Sequence, residues 1–373
     1  MRLLDRYLLR ELLTPLGYCL GGILIFWISS DLFKELETFQ EAKLGPGKIA
    51  QYYLLKMPEL LVTVTPVALL LSLLYALTNH ARHQELTAMR SAGVSLWRSC
   101  APYFAVALVL SVGLQVMNEQ WAPDSTEFAE QILKRSTTKQ SSAQDRQWQD
   151  DLAFHNDREN RFWRIRAYNI ETGEMRHPDV EWTPADGLLR QLSAERGVWT
   201  NGGWTFFGVL LLVPGASANS TNVWQRTNVL AVPEFFETPE QIRSEIKVSQ
   251  LTSARAAKRV QLTIAESLNY KRLHPHLRGS ALAKVDTQLH ARLAAPWTCL
   301  IVVLIAIPFG APSGRRNVFV GVAASIFIGF AYFVLQRFGM ALGTGGYVPP
   351  LLAAWLPNLL FGGVGVWLTL RVR

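Results

Sequence analysis

Six apolar runs constrain this chain more than any other feature. They are Leu12–Ser30, Leu60–Leu77, Ala101–Met117, Leu293–Phe309, Val318–Leu335 and Leu351–Leu370. A helix needs about 20 mostly apolar residues to cross a bilayer's hydrocarbon core, and each run meets or approaches that length. They fall in two sets of three, which buried helices of a large soluble protein would not do. Six transmembrane helices are therefore expected. Pro66 is expected to kink the second, a defect that neighbouring helices repair in a membrane. The first run is too long for a signal-peptide core and lacks a small-x-small cleavage site, so it is expected to be retained.

The overall hydrophobic fraction, 49%, is ordinary for a soluble protein. It conceals a split, because the apolar residues crowd into blocks at both ends. The net charge of +8 raises nucleic acid as a partner. However, the basic residues are dispersed and many sit at the edges of apolar runs, which fits membrane topology better than nucleic-acid binding. Arg2, Arg6 and Arg10 precede the first run, Arg82, Arg90 and Arg98 lie in the second connection, Arg315 and Arg316 in the fourth, and Arg371 and Arg373 at the end. All fall on one side of a six-span path. The opposite loops carry Lys34, Lys43, Lys48 and Lys56 diluted by Glu35, Glu37, Glu41 and Glu59, and loop 338–350 has no Lys or Arg. The positive-inside rule then puts both termini in the cytoplasm and the long insert, about Ala122 to His290, outside.

The insert reads mainly as β. Phe162–Ile170 is rich in aromatic and branched residues, and Glu171-Thr172-Gly173-Glu174 has turn character. Asn201-Gly202-Gly203 stands between Val198-Trp199 and Trp204-Thr205-Phe206-Phe207, a hairpin signal. Short strands with such turns suggest a sandwich or jelly roll. The aromatics Trp148, Phe162, Trp163, Trp182, Trp199, Trp204, Phe206 and Phe207 are expected to form its core. From Pro239 the pattern turns helical and basic, with Arg255, Lys258, Arg259, Lys271 and Arg272, as a connecting arm would.

Catalytic chemistry finds little support. Gly45-Pro46-Gly47-Lys48 hints at a phosphate loop, but Ile49 follows where Ser or Thr should coordinate magnesium. His80 and His83 share a helical spacing, yet no third metal ligand lies nearby, and both are expected to face solvent. His274 and His276 flank Pro275 as in a loop. Cys19, Cys100 and Cys299 lie in or beside apolar runs with no zinc or disulfide spacing. No nucleophile signature stands out. The chain is expected to be no enzyme and to bind no cofactor or metal.

The polar interlude Asn79–Ser99, between the second and third runs, is more informative. Its core, Gln84–Gly93, reads as one brief helix. Glu85 sits near the start, where a carboxylate favours the macrodipole, and Leu86 and Met89 share a face. Ala92-Gly93 supplies a left-handed stop. Such a helix either floats in the headgroup layer or docks in a partner's groove. The negative Glu85 beside the apolar pair argues for docking.

Glu85-Leu86-Thr87-Ala88-Met89-Arg90-Ser91-Ala92-Gly93 resembles the E-L-x-x-M-R-x-x-G motif of the lipopolysaccharide export permeases, the LptF/LptG family. The likeness extends to Leu4-Asp5-Arg6-Tyr7, to Leu289–Pro296 and to Pro349–Asn358, in family order. It implies a six-span inner-membrane protein with an inserted periplasmic β-jelly-roll-like domain. It implies an ABC transporter permease that extracts lipopolysaccharide and passes it to a periplasmic bridge. The implied partners are a second LptF/LptG-type permease, an LptB-like cytoplasmic ATPase dimer that holds ATP and Mg, and an LptC- or LptA-like jelly-roll protein. Glu85, Leu86, Met89, Arg90 and Gly93 would form the coupling helix, about 83–93. The expected domains are 1–121 with spans one to three, 122–250 for the β domain, 251–290 for the arm and 291–373 for spans four to six.

Small residues at helical spacing, Gly17 and Gly21 in the first span and Gly321, Ser325 and Gly329 in the fifth, permit close helix approach. They serve packing within the chain or, as the resemblance implies, a seam with the second permease. Lys34, Lys56, Arg292 and Arg337 stand near outer membrane ends, where they either snorkel or meet lipid phosphates and acidic sugars. Two other functions are compatible with parts of the chain. A membrane-anchored periplasmic receptor leaves six spans unexplained. An ion-driven secondary lipid transporter calls for polar mid-membrane residues that the runs scarcely contain.

Overall fold

The computed structural model describes residues 3–121, 125, 129, 132, 148–183, 188–200, 202–213, 223–252, 262–275, 279–310 and 318–371. The helices, in chain order, are α1 (Leu3–Lys34), α2 (Leu36–Glu41), α3 (Pro46–Arg82), α4 (Glu85–Ser91), α5 (Leu96–Val116), α6 (Pro239–Thr252), α7 (Ile264–Leu273), α8 (Gly279–Ala294), α9 (Trp297–Gly310), α10 (Val318–Thr344) and α11 (Pro350–Arg371). The chain divides into two compact units, one of Met1–Thr137 with Asp286–Arg373, the other Thr138–Val285.

The first unit is a helical bundle. Leu8 and Leu12 of α1, Leu69 and Leu73 of α3, Tyr103 of α5 and Val303 of α9 meet in its core. Five of the described helices are long and apolar enough to cross a membrane alone: α1, α3, α5 with its extension to Trp121, the Ile326–Thr344 part of α10, and α11. α3 runs through Pro58 and Pro66 as one helix.

The fourth run differs from its expected form. It is a bent pair, α8 and α9, that turns by 55° at the break. At 14 residues α9 spans only about 21 Å, too short to cross alone. Pro296 explains the break. It offers no N–H to the ladder, and its ring excludes the carbonyl four residues earlier. The Thr298 N–H bonds back to Ala295 rather than to Ala294. The fifth run also extends further than expected, because α10 continues to Thr344. Gly339 and Gly343 allow this. A Cβ at either would strike Ala353 of α11.

The second unit is built on a seven-stranded antiparallel sheet: β1 (Trp148–Asn156), β2 (Arg161–Asn169), β3 (Met175–Trp182), β4 (Arg190–Ser193), β5 (Arg196–Thr200), β6 (Gly203–Val213) and β7 (Val223–Val232). β4 and β5 pair in succession with β3 on one side and β6 on the other, so they act as one interrupted strand. The described strands thus make a single meandering sheet. The hairpin expected near residue 201 is present, with Thr200 opposite Gly203 and Gly202 at φ +81°; Asn201 lies outside the described residues. Trp163, Trp204 and Phe206 are fully buried, with Phe235 and with Ile242 and Ile246 of α6 over them. Trp148, Phe162, Trp182 and Trp199 are half-buried, and Phe207 is exposed.

The helices expected to form an arm contribute to this unit. Val248 of α6, Leu262 just before α7, Tyr270 of α7 and Val285 of α8 share an apolar cluster. His274, expected in a loop, caps α7 and lies between two carboxylates, 2.9 Å from Asp157 Oδ2 and 2.7 Å from Glu245 Oε1. Arg255, Lys258, Arg259 and His276 lie outside the described residues.

Candidate functional site

The connection between α3 and α5 is short and tightly specified. α3 stops at Arg82, and Gln84 takes a left-handed conformation at φ 59° that turns the chain into α4. α4 ends in a Schellman motif. The Val94 N–H reaches the Met89 carbonyl, the Gly93 N–H reaches that of Arg90, and Gly93 sits at φ +82°. Ser95 then caps α5 by accepting from the Arg98 N–H.

α4 is held from inside the bundle. Leu86 is buried and Met89 half-buried against the core formed by α1, α3, α5 and α9. The apolar pair therefore faces inward, and the outward surface consists of Thr87, Ala88 and Ser91 with Ala92 and Gly93. Arg90 is half-buried.

Glu85 is likewise drawn inward. Its Oε2 lies 2.6 Å from Nδ1 of His80, and both its oxygens lie 3.1 Å from the Tyr7 hydroxyl. A carboxylate oxygen only accepts, so the imidazole hydrogen sits on Nδ1. His80 is fully buried, contrary to the solvent-facing expectation, while His83 is exposed and bonds back to the Asn79 carbonyl. In the sequence His80 stood out only for its helical spacing to His83, which points to a ligand pair rather than to a buried partner of Glu85. A second contact ties the same region to α1. Arg98 Nη2 lies 2.9 Å from the Asp5 carboxylate.

The four cations divide into two kinds. Lys56 pairs with Asp31 at 3.0 Å and lies over the Tyr52 ring. Arg292 is buried, donating to the Asn118 carbonyl at 2.8 Å in the π-helical turn Met117–Trp121 and lying 3.4 Å from Glu119. Its position anchors the broken span to the end of α5. Lys34 and Arg337 are exposed. Arg337 lies within α10 rather than at its end, because the helix runs on to Thr344.

The small residues divide as well. A Cβ at Gly329 would strike Leu70 of α3, so Gly329 is a packing residue of this subunit. Gly17 and Gly21 face open space, beside the exposed Tyr18, Ile25 and Phe26. Ser325 and Gly321 lie on α10, about one and two turns before Gly329.

The family profile described as lipopolysaccharide export system permease LptF/LptG matches residues 6–371. The chain belongs to the LptF/LptG family. No curated protein matches it. As a member of that family it is a multi-pass inner-membrane protein and the permease component of a lipopolysaccharide exporter, with an antiparallel β domain inserted between its two sets of spans.

Proposed function

We propose that this chain is one of two permeases in an ATP-driven lipopolysaccharide extractor, with α4 as the surface on which a cytoplasmic ATPase acts. Both termini are cytoplasmic and the β unit is periplasmic, as the arginine-rich connections favour. The second permease is a related LptF/LptG-type chain, and the ATPase works as an LptB-like dimer. The lipid passes from the paired spans to the β unit and on to a jelly-roll bridge.

The observation that carries this reading is the construction of α4. It is a seven-residue helix, locked at both ends, with Leu86 buried and Met89 half-buried against the bundle core. Such a helix cannot slide independently of the bundle, so force on its exposed face is delivered to the spans. For coupling, the ATPase must contact α4 differently in its two nucleotide states, because equal contact shifts no equilibrium. Leu86 and Met89 serve as the inner anchor, Glu85 as the tether, Gly93 as the stop, and Arg90 as the basic group at the contact's edge. Lys34 and Arg337, the exposed cations, are the substrate contacts, with Lys56 and Arg292 in supporting roles. Gly17 and Gly21 line the seam with the second permease.

Purification of the complex through this chain tests the reading. The expected complex contains a second permease and a nucleotide-hydrolysing subunit and releases lipopolysaccharide from proteoliposomes only with ATP. Release of the lipid by a complex lacking that subunit would overturn it.

A further inference from the structure

We infer that the N-terminal segment Leu4-Asp5-Arg6-Tyr7 is a transmission clamp, which passes displacement of α4 into α1. The inference rests on the coupling role proposed above for α4 and assigns the residues that convey the motion.

The segment touches the α3–α5 connection on both sides of α4. Tyr7 donates to Glu85, the first residue of α4, and Asp5 pairs with Arg98 in the first turn of α5. These contacts join residues 78 and 93 positions apart in the chain. Both are polar links between α1 and this connection. Two links, one on either side of α4, resist rotation of α1 about its axis as well as translation along it. One link alone would leave a pivot.

His80 completes the clamp from α3. Its Nδ1 hydrogen bond orients the Glu85 carboxylate so that both oxygens face the Tyr7 hydroxyl, and its ring lies 5.8 Å from the Tyr7 ring. His80 is a positioning residue, acting through Glu85.

What lies beyond Tyr7 gives the clamp its use. α1 carries on from Tyr7 to Lys34 as one helix that passes through Pro15, over about 40 Å at 1.5 Å per residue. A continuous helix moves nearly as one body, so a shift at Tyr7 appears at Gly17, Gly21 and Phe26. Gly17 and Gly21 have open space beside them, and Phe26 is exposed. A push on the surface of α4 thereby becomes a movement of α1, whose apolar stretch is 11% buried, the lowest share among the five described helices long enough to span alone. A clamp needed only for stability would not have to lie on that route.

The test uses the full complex in proteoliposomes containing lipopolysaccharide. Tyr7→Phe keeps the ring against His80 and removes only the hydroxyl; Asp5→Asn removes the charge facing Arg98. For each variant three quantities are measured: ATPase subunit retained per chain, ATP hydrolysed, and lipid released per ATP. The expected result is retention and hydrolysis within twofold of wild type and at least a fivefold fall in lipid per ATP. The exchange of Asp5→Arg with Arg98→Asp should restore the ratio. Wild-type lipid per ATP in both single variants would overturn the clamp, as would a loss of ATPase retention that accounts for the whole fall. A wild-type complex with no ATPase subunit would instead overturn the coupling reading itself.

Discussion

Asn358 of α11 donates from Nδ2 to the Ala294 carbonyl oxygen across 2.9 Å, closing the gap that Pro296 opens between α8 and α9. Its Oδ1 accepts from the Tyr332 hydroxyl at 2.6 Å, and since that hydroxyl has one hydrogen, Thr298 must donate to Tyr332 across the remaining 3.0 Å. The three side chains are buried. A carbonyl released inside a bundle would otherwise be left without a partner, which is costly where water is absent.

Asn358→Leu removes both contacts at once. It should destabilise the bundle by about 1–2 kcal/mol, the combined scale of an interhelical hydrogen bond and an orphaned carbonyl. Tyr332→Phe should cost less, because the Asn358–Ala294 bond survives. Thermal unfolding of the detergent-purified chain checks the order, with Asn358→Leu lowest, Tyr332→Phe intermediate and wild type highest.

Gly329 and Gly17 were equivalent as sequence signals and are opposite in structure. Gly329→Leu drives a side chain into Leu70 and should cost about 1–3 kcal/mol, as overpacking does. Gly17→Leu meets open space and should leave the unfolding temperature of the isolated chain unchanged. If Gly17 lines the permease seam, the same variant should lower the yield of the paired complex.

In the β unit, Glu237 is fully buried and Arg161 nearly so, their charged groups 3.1 Å apart. Glu237 Oε1 also accepts from Asn156 at 2.7 Å and from the Trp163 indole at 3.2 Å. Glu237→Ala would leave the guanidinium, between Phe235 and Phe236, with only the Glu234 carbonyl and the more distant Glu159, at a cost of about 2–4 kcal/mol. Urea unfolding of the full chain, followed by tryptophan fluorescence, should show a midpoint shift. A smaller shift is expected for Glu237→Gln, which keeps an acceptor near Asn156 and Trp163.

The His274 cluster should make this unit more stable in mild acid than in mild base. Burial opposes the imidazolium, but the Glu245 and Asp157 contacts outweigh it and raise the His274 pKa above 6.5. The proton-bound form is thus favoured by folding. Its contribution is full below about pH 6.5 and fades as pH rises through the raised value. Burial also raises the Glu245 carboxyl, with His274 offsetting part of this, so its ionisation weakens the fold in the same direction. Asp157 acts oppositely. Burial is outweighed by hydrogen bonds from His155 and His274 that hold it below the usual range, a contribution lost only in strong acid. Tyr270 also faces His274, with ring centres 4.6 Å apart, and burial raises its hydroxyl to about 12, outside this window. Unfolding midpoints between pH 6 and 8.5 should fall in wild type and flatten in His274→Asn.

Some of this protein is written locally. Membrane spans depend on the length of an apolar run, the Gly93 stop on a residue tolerant of positive φ, and the hairpin near residue 201 on a turn dipeptide. Each is decided within a few tens of neighbouring residues, and each is legible in the chain. Glu85, Leu86, Met89 and Gly93 were also visible as a motif, though not which way they point. The inward turn of Leu86 and Met89, the burial of His80, and the meeting of Tyr7 with Glu85 depend on which faces of α1, α3 and α4 come together. So do the seating of Arg292 against the end of α5 and of Asn358 against Ala294. Those outcomes are set by packing between segments tens to hundreds of residues apart, and no period or spacing along the chain encodes such distances. The single proline at 296 illustrates the boundary. Its missing N–H breaks a helix by itself, but only the folded bundle supplies the side chain that makes the break tolerable.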